Sequence, residues 1–88
     1  MVSKTVKVVN KAGFHMRPAS QFVNEMGKFQ SSITIEFGGR SIDAKSIMSV
    51  MSACIKYGSE IEIRCDGPDE QQMLDKAVGM IESGFGEE

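Results

Sequence analysis

The stretch Ile33-Thr34-Ile35-Glu36-Phe37-Gly38-Gly39-Arg40-Ser41-Ile42-Asp43 decides how this chain folds. Ile33, Ile35 and Phe37 alternate with Thr34 and Glu36, the period of a strand with one face buried. Gly38-Gly39 is a two-residue hairpin signal, because glycine tolerates the positive φ that a tight turn demands. The segment Arg40 to Asp43 therefore returns beside the first strand. Half-buried strands paired in this way predict a mainly antiparallel sheet that covers one face and wets the other.

Outward from the hairpin the alternation recurs in residues 2 to 9, where Val2, Val6 and Val8 oppose Ser3, Thr5 and Lys7, and again at Ile61, Ile63 and Cys65. Helical spacing lies between these strands. Ala19, Phe22, Val23, Met26 and Phe29 step by three and four, with Pro18 near the start, where its missing N–H costs nothing. Leu74, Ala77, Val78 and Ile81 repeat the spacing after Pro68-Asp69-Glu70, whose carboxylates suit the positive end of a helix. A shorter helix is predicted between residues 46 and 55. The order β-α-β-β-α-β-α implies an α+β fold with its helices on one face of the sheet. No internal repeat, linker or low-complexity run divides residues 1 to 88, so one domain is expected.

A chain of 88 residues, 41% hydrophobic and 25% charged, has room for one modest core and places any chemistry at its surface. No run approaches the roughly 18 apolar residues that span a bilayer, and the N-terminus lacks the apolar region of a signal peptide. A cytoplasmic protein without membrane insertion is expected, and Cys54 and Cys65 read as buried thiols. The net charge of −2 argues against nucleic acid. Its distribution is uneven: residues 1 to 57 carry eight basic and three acidic side chains (+5), residues 58 to 88 two basic and nine acidic (−7). The first part should attract anionic ligands or acidic protein surfaces.

His15 is the one histidine, in Gly13-Phe14-His15-Met16-Arg17-Pro18-Ala19. It falls where a loop enters a helix, so the opening N–H groups at Met16 and Arg17 can point at an anion beside the ring. The Arg17 side chain adds a fixed positive charge. Gly13 allows a close approach of the loop, and Pro18 stiffens the first turn. Neutral imidazole attacks phosphorus at physiological pH, and the phosphoramidate formed keeps a reactive P–N bond for a second transfer. Arg17 and the helix terminus would offset the charge on the phosphoryl oxygens. The alternative role for His15 is a plain helix cap.

Ser46 occupies the N-cap of the short helix in Asp43-Ala44-Lys45-Ser46-Ile47-Met48. A phosphate there would put about −2 charge beside Ile47, Met48 and Met51. That helix also carries Val50, Ala53, Cys54 and Ile55, more apolar residues than one core-facing stripe uses. Two arrangements satisfy the pattern: an exposed, adaptable docking patch, or a short helix sunk deeply. His15, Cys54 and Cys65 lack metal-ligand spacing, and no Walker-type loop is present, so neither metal nor cofactor is expected.

The segments Gly13 to Ala19 and Ala44-Lys45-Ser46-Ile47-Met48-Ser49-Val50-Met51 together resemble the histidine-containing phosphocarrier (HPr) family of the bacterial phosphoenolpyruvate:sugar phosphotransferase system, and the resemblance extends over essentially the whole chain. It implies an open-faced β-sandwich of four strands and three helices. It further implies that enzyme I phosphorylates His15 at Nδ1, that Arg17 partners the phosphate, and that IIA domains of sugar permeases receive the group. Ile47, Met48 and Met51 match part of the shared docking surface, and the carrier is expected to be a stoichiometric monomer rather than a free-standing enzyme. Ser46 matches a regulatory serine modified by HPr kinase/phosphorylase, the product acting with a catabolite-control transcription regulator. Met16 replaces the alanine usual in the family and Ser49 a frequent glycine, and neither removes a reacting group. Regulatory relatives, such as a nitrogen-branch carrier or a serine-phosphorylated co-repressor, share this pattern, and a non-catalytic interaction module is the third reading.

Overall fold

The hairpin forms where the alternation places it. In the computed structural model, which describes residues 1–86, Ser32–Phe37 (β2) turns through Gly38 and Gly39, at φ 58° and 80°, into Arg40–Asp43 (β3). Val2–Lys7 (β1) and Glu60–Asp66 (β4) complete a four-stranded sheet of order β1-β4-β2-β3 in which every pairing is antiparallel. Ile35 stands opposite both Ile42 and Ile63, Ile33 opposite Cys65, and Val6 opposite Ile61. These buried rows make one apolar face. The other face is polar: Arg64 Nη2 meets Glu62 at 3.1 Å and Nη1 meets Glu36 at 3.9 Å, which relieves the direct opposition of the two glutamates across β2 and β4.

Three helices, Met16–Met26 (α1), Ile47–Ser52 (α2) and Glu70–Glu82 (α3), cover the apolar face, the arrangement expected of an open-faced sandwich. Phe22, Met26, Met73, Ala77 and Ile81 are fully enclosed there, each large side chain contributing about 1.5–3 kcal/mol by leaving water. Helix α3 packs on β1 and β4, and α2 on β3, with α1 touching both helices. Among the described residues no helix is long and apolar enough to cross a membrane.

Four local expectations need correction. β1 ends at Lys7 rather than at residue 9, although Val8 continues the pairing into the loop, donating to the Ser59 carbonyl at 2.9 Å and accepting from Gly58 N at 2.8 Å. Helix α1 stops at Met26, with Gly27 as its C-cap, and Phe29 packs on the core from the following turn. Helix α2 spans six residues, not ten, because Ala53 caps it and Cys54 takes φ 54°. That left-handed turn carries Cys54 outward, so its thiol is exposed. Cys65 is buried as expected; burial, reinforced by the charges of Glu70 and Asp69, pushes its thiol up to about 11.

Asp69 ties the α1–β2 junction to the start of α3. Its carboxylate accepts from the Ser31 hydroxyl, from Ser31 N at 2.9 Å and from Gln30 N at 3.0 Å, while Asp69 N donates back to Ser31 Oγ at 3.1 Å. The Ser31 hydroxyl first, and then the Gln30 N–H, hold this carboxyl at about 2. A depressed folded-state pKa stabilises the fold above the ordinary carboxylate range, near pH 4, and that stability is lost as pH falls through about 2. Urea unfolding midpoints measured between pH 5 and about pH 2 should fall with acid in the wild type. In Asp69→Asn the fall should be shallower; parallel curves would deny the clamp this role.

Candidate functional site

His15 sits at the N-cap of α1 with extended backbone (φ −82°, ψ −174°), and its carbonyl accepts from Ala19 N at 2.9 Å to close the first helical turn. Its half-buried imidazole makes no capping hydrogen bond, which separates it from the serine at the start of α2. The N–H groups of Met16 and Arg17 have no acceptor one turn back within the helix, and Pro18, buried beside them, has no N–H to satisfy. The terminus thus sets two backbone donors and the partial positive charge of the helix next to the ring. The Met16 side chain is 63% exposed and that of Arg17 is also exposed.

The loop before His15 is held on three sides. Phe14 N donates to the Ile55 carbonyl at 3.0 Å, and Asn10 Nδ2 donates to the Gly13 carbonyl at 2.7 Å. Gly13 has φ 65°, and a Cβ there would lie 2.6 Å from the Ile55 carbonyl oxygen and 2.9 Å from Lys56 Cα. Only glycine fits, as the sequence indicated. Below the loop the Phe14 ring meets Phe22 and Phe85 edge-on, with centroids 5.5 and 5.0 Å away. The sequence reading missed Phe85, which is buried at φ 58° just beyond α3. Its one signal was an aromatic bracketed by Gly84 and Gly86 where helical spacing ends.

Two links show how α1 and α2 lie. The end of α2 reaches the start of α1 through Ile55 and Phe14, while Lys45, ahead of α2, donates through Nζ to the Phe29 carbonyl beyond the end of α1, at 2.9 Å. The helices are therefore antiparallel neighbours. On α2, Val50 is fully buried, and Met48, Ser49 and Ser52 line a hollow of about 260 Å³ against β3. Helical geometry puts Ile47 and Met51, both half-buried, on the opposite flank, toward α1. Met48 is 73% exposed. The apolar side chains of this segment divide between core and surface: Val50, Ala53 and Ile55 are buried, Ile47 and Met51 are half-buried, and Met48 is exposed.

Ser46 caps α2 as expected, its hydroxyl accepting from Ser49 N at 3.2 Å, and its side chain is half-buried. His15 and Ser46, each at the start of its helix, lie at opposite ends of the antiparallel pair.

A histidine at a helix terminus, with an arginine two residues on and an apolar surface on the neighbouring helix, is an arrangement chemically able to hold an anionic group. Residues 2–83 match the family described as "PTS HPr component phosphorylation site". Phosphocarrier protein HPr of Cupriavidus necator is 37% identical over 87 residues, covering 99% of this chain and 98% of its own. HPr-like protein Crh of Halalkalibacterium halodurans is 44% identical over 82 residues, covering 93% and 98%. A crystal structure of HPr-C-His from Thermoanaerobacter tengcongensis superposes with a TM-score of 0.97 at 40% identity, covering 100% of this chain and 99% of that one. The chain belongs to the HPr family of phosphocarrier proteins.

Replacing Gly13 separates two costs. Gly58→Ala, at φ 84° with open space around it, should destabilise by about 1 kcal/mol through backbone strain alone. Gly13→Ala must also displace the backbone at Ile55 and Lys56 and should cost clearly more in urea unfolding. Equal losses would show that the close approach does not constrain the loop.

Proposed function

We propose that the chain, acting as one domain over residues 1 to 88, is a stoichiometric phosphoryl carrier of the sugar phosphotransferase system in which His15 accepts the group from phospho-enzyme I and passes it to IIA domains. The observation that carries this reading is the setting of His15: an N-cap residue whose imidazole does not cap, at the opening N–H groups of α1, with the exposed Arg17 two residues on in the first turn. In the reaction the Nδ1 lone pair attacks phosphorus in line with the leaving group, and the phosphoryl oxygens come to rest against the helix terminus and Arg17. These groups favour the phosphorylated form without covalent involvement, and half-exposure of the ring lets a partner reach phosphorus. Ile47, Met48 and Met51 supply the apolar part of the docking surface, working as a cytoplasmic monomer that meets its partners in turn.

A second reading concerns Ser46. Similarity to HPr-like protein Crh, with Ser46 at the N-cap of α2 beside that surface, supports regulation by HPr kinase/phosphorylase and pairing with a catabolite-control transcription regulator. A phosphate on Ser46 would be tolerated by the helix end, yet would set about −2 charge among Ile47, Met48 and Met51 and repel acidic partners.

Incubation with phosphoenolpyruvate and enzyme I should give an acid-labile, base-stable label that is absent from His15→Ala; no label on the wild type would remove the carrier reading. Arg17→Glu should fold normally and exchange the phosphoryl group roughly 100-fold more slowly, measured by rapid quench. With ATP and HPr kinase, an acid-stable phosphate is expected on Ser46, and modification of another residue would defeat the regulatory reading.

A further inference from the structure

The methionines divide into three groups by exposure. Met26 and Met73 are fully buried, Met51 and Met80 are half-buried, and three thioethers stand in solvent: Met1 at 69% exposure, Met16 at 63% and Met48 at 73%. Met16 follows His15 directly, and Met48 is the outermost apolar side chain of α2. Met1 is elsewhere. It precedes β1, whose opposite end leads into the His15 loop, and its ammonium is pinned to Glu70 Oε1 at 3.0 Å. Six strand residues put it roughly 20 Å from that loop.

We propose that Met16 and Met48 are oxidation sites through which peroxide-class oxidants switch off docking at the His15 surface, a regulation that rests on the carrier reading above. The sulfur lone pair attacks one peroxide oxygen, the O–O bond breaks, an S–O bond forms, and the other oxygen leaves as water with both protons. Sulfur loses two electrons and the peroxide gains them. The product, a sulfoxide, is polar and an acceptor only. A thioether adapts to an apolar partner surface, whereas a sulfoxide in the same contact keeps a desolvated oxygen in need of a donor. Methionine sulfoxide reductases reverse the change with electrons from a dithiol, which becomes a disulfide as the oxygen leaves as water. The buried Met26 and Met73 are shielded, so the fold survives the event that disables the surface.

The test is mild hydrogen peroxide followed by dithiothreitol, which reverses sulfenic and disulfide oxidation at the exposed Cys54 and leaves sulfoxides in place. Peptide mass spectrometry should find oxygen on Met1, Met16 and Met48 before Met26 and Met73. The rate of phosphoryl transfer from phospho-enzyme I should then fall roughly tenfold, the factor about 1.4 kcal/mol of binding carries, and recover with the reductases. Each preparation is compared with its own unoxidised form. In Met16→Leu/Met48→Leu, oxidation still reaches Met1 yet should leave that variant's rate where it was. An oxidised wild type that transfers at its untreated rate overturns the proposal, as does a double variant that loses as much as the wild type. Failure of the untreated protein to take label on His15 overturns the carrier reading instead, so the two failures are distinguishable.

Discussion

The contact of Gly13 with the backbone at Ile55 and Lys56 is the constraint on which the site depends. The hydrogen bond from Phe14 N to the Ile55 carbonyl contributes only about 0.5–1.5 kcal/mol net, too little to fix a loop. The missing Cβ matters more, because the atoms it would strike are backbone and cannot swing aside. With Asn10 holding the Gly13 carbonyl and Phe14 wedged between Phe22 and Phe85, the chain reaches His15 in one conformation. The start of α1 is thereby set by contacts that involve neither the imidazole nor the side chains of Met16 and Arg17. Side chains at those three positions can vary without loss of the scaffold.

Contacts from outside the element likewise explain how a six-residue helix exists at all. A segment as short as α2 has too few internal hydrogen bonds to offset the cost of nucleation, so its order must come from outside. Val50, Ala53 and Ile55 anchor it in the core, Ser46 caps its first turn, and Lys45 fastens its approach to the end of α1. Anchors at both ends and beneath leave the outward side under no packing demand. Met48 can therefore remain exposed at no cost to stability, and Ile47 and Met51 need bury only one edge.

Features that depend on local periodicity were legible in the sequence. The hairpin, the alternation of β4 and the stepping of Phe22, Met26, Leu74 and Ile81 each need only neighbours along the chain, and each of these residues lies in the element its spacing predicts. His15 and Ser46 were legible for the same reason, since both are defined by the helix that follows. What escaped depends on backbone handedness or on distant partners. Cys54 looked buried because it lies inside an apolar pattern, whereas the helix ends at Ser52, three residues before the pattern does, and the positive φ of Cys54 leaves its thiol exposed. Phe85 is buried through another positive φ and two rings some 60 to 70 residues away, and no periodicity encodes that. The Ser31–Asp69 clamp likewise joins residues 38 apart.

The fold also changes what the net charge means. Most of the acidic last third resides on β4, whose Glu62 faces the open polar side of the sheet, and on α3, which covers the β1 half. Lys11, Arg17, Lys45 and Lys56 belong instead to the loops and helices around His15 and α2. At physiological ionic strength a charge is felt over about 8 Å, less than the 21 Å of the molecule's shortest dimension. A macromolecule approaching α1 and α2 therefore meets the local basic field and not the overall −2. Charges at that range act mainly on encounter and orientation, while apolar contact of the kind Met48 and Met51 could offer acts mainly on how long a complex lasts. Separating the two kinds of side chain on adjacent helices would suit the carrier role proposed above.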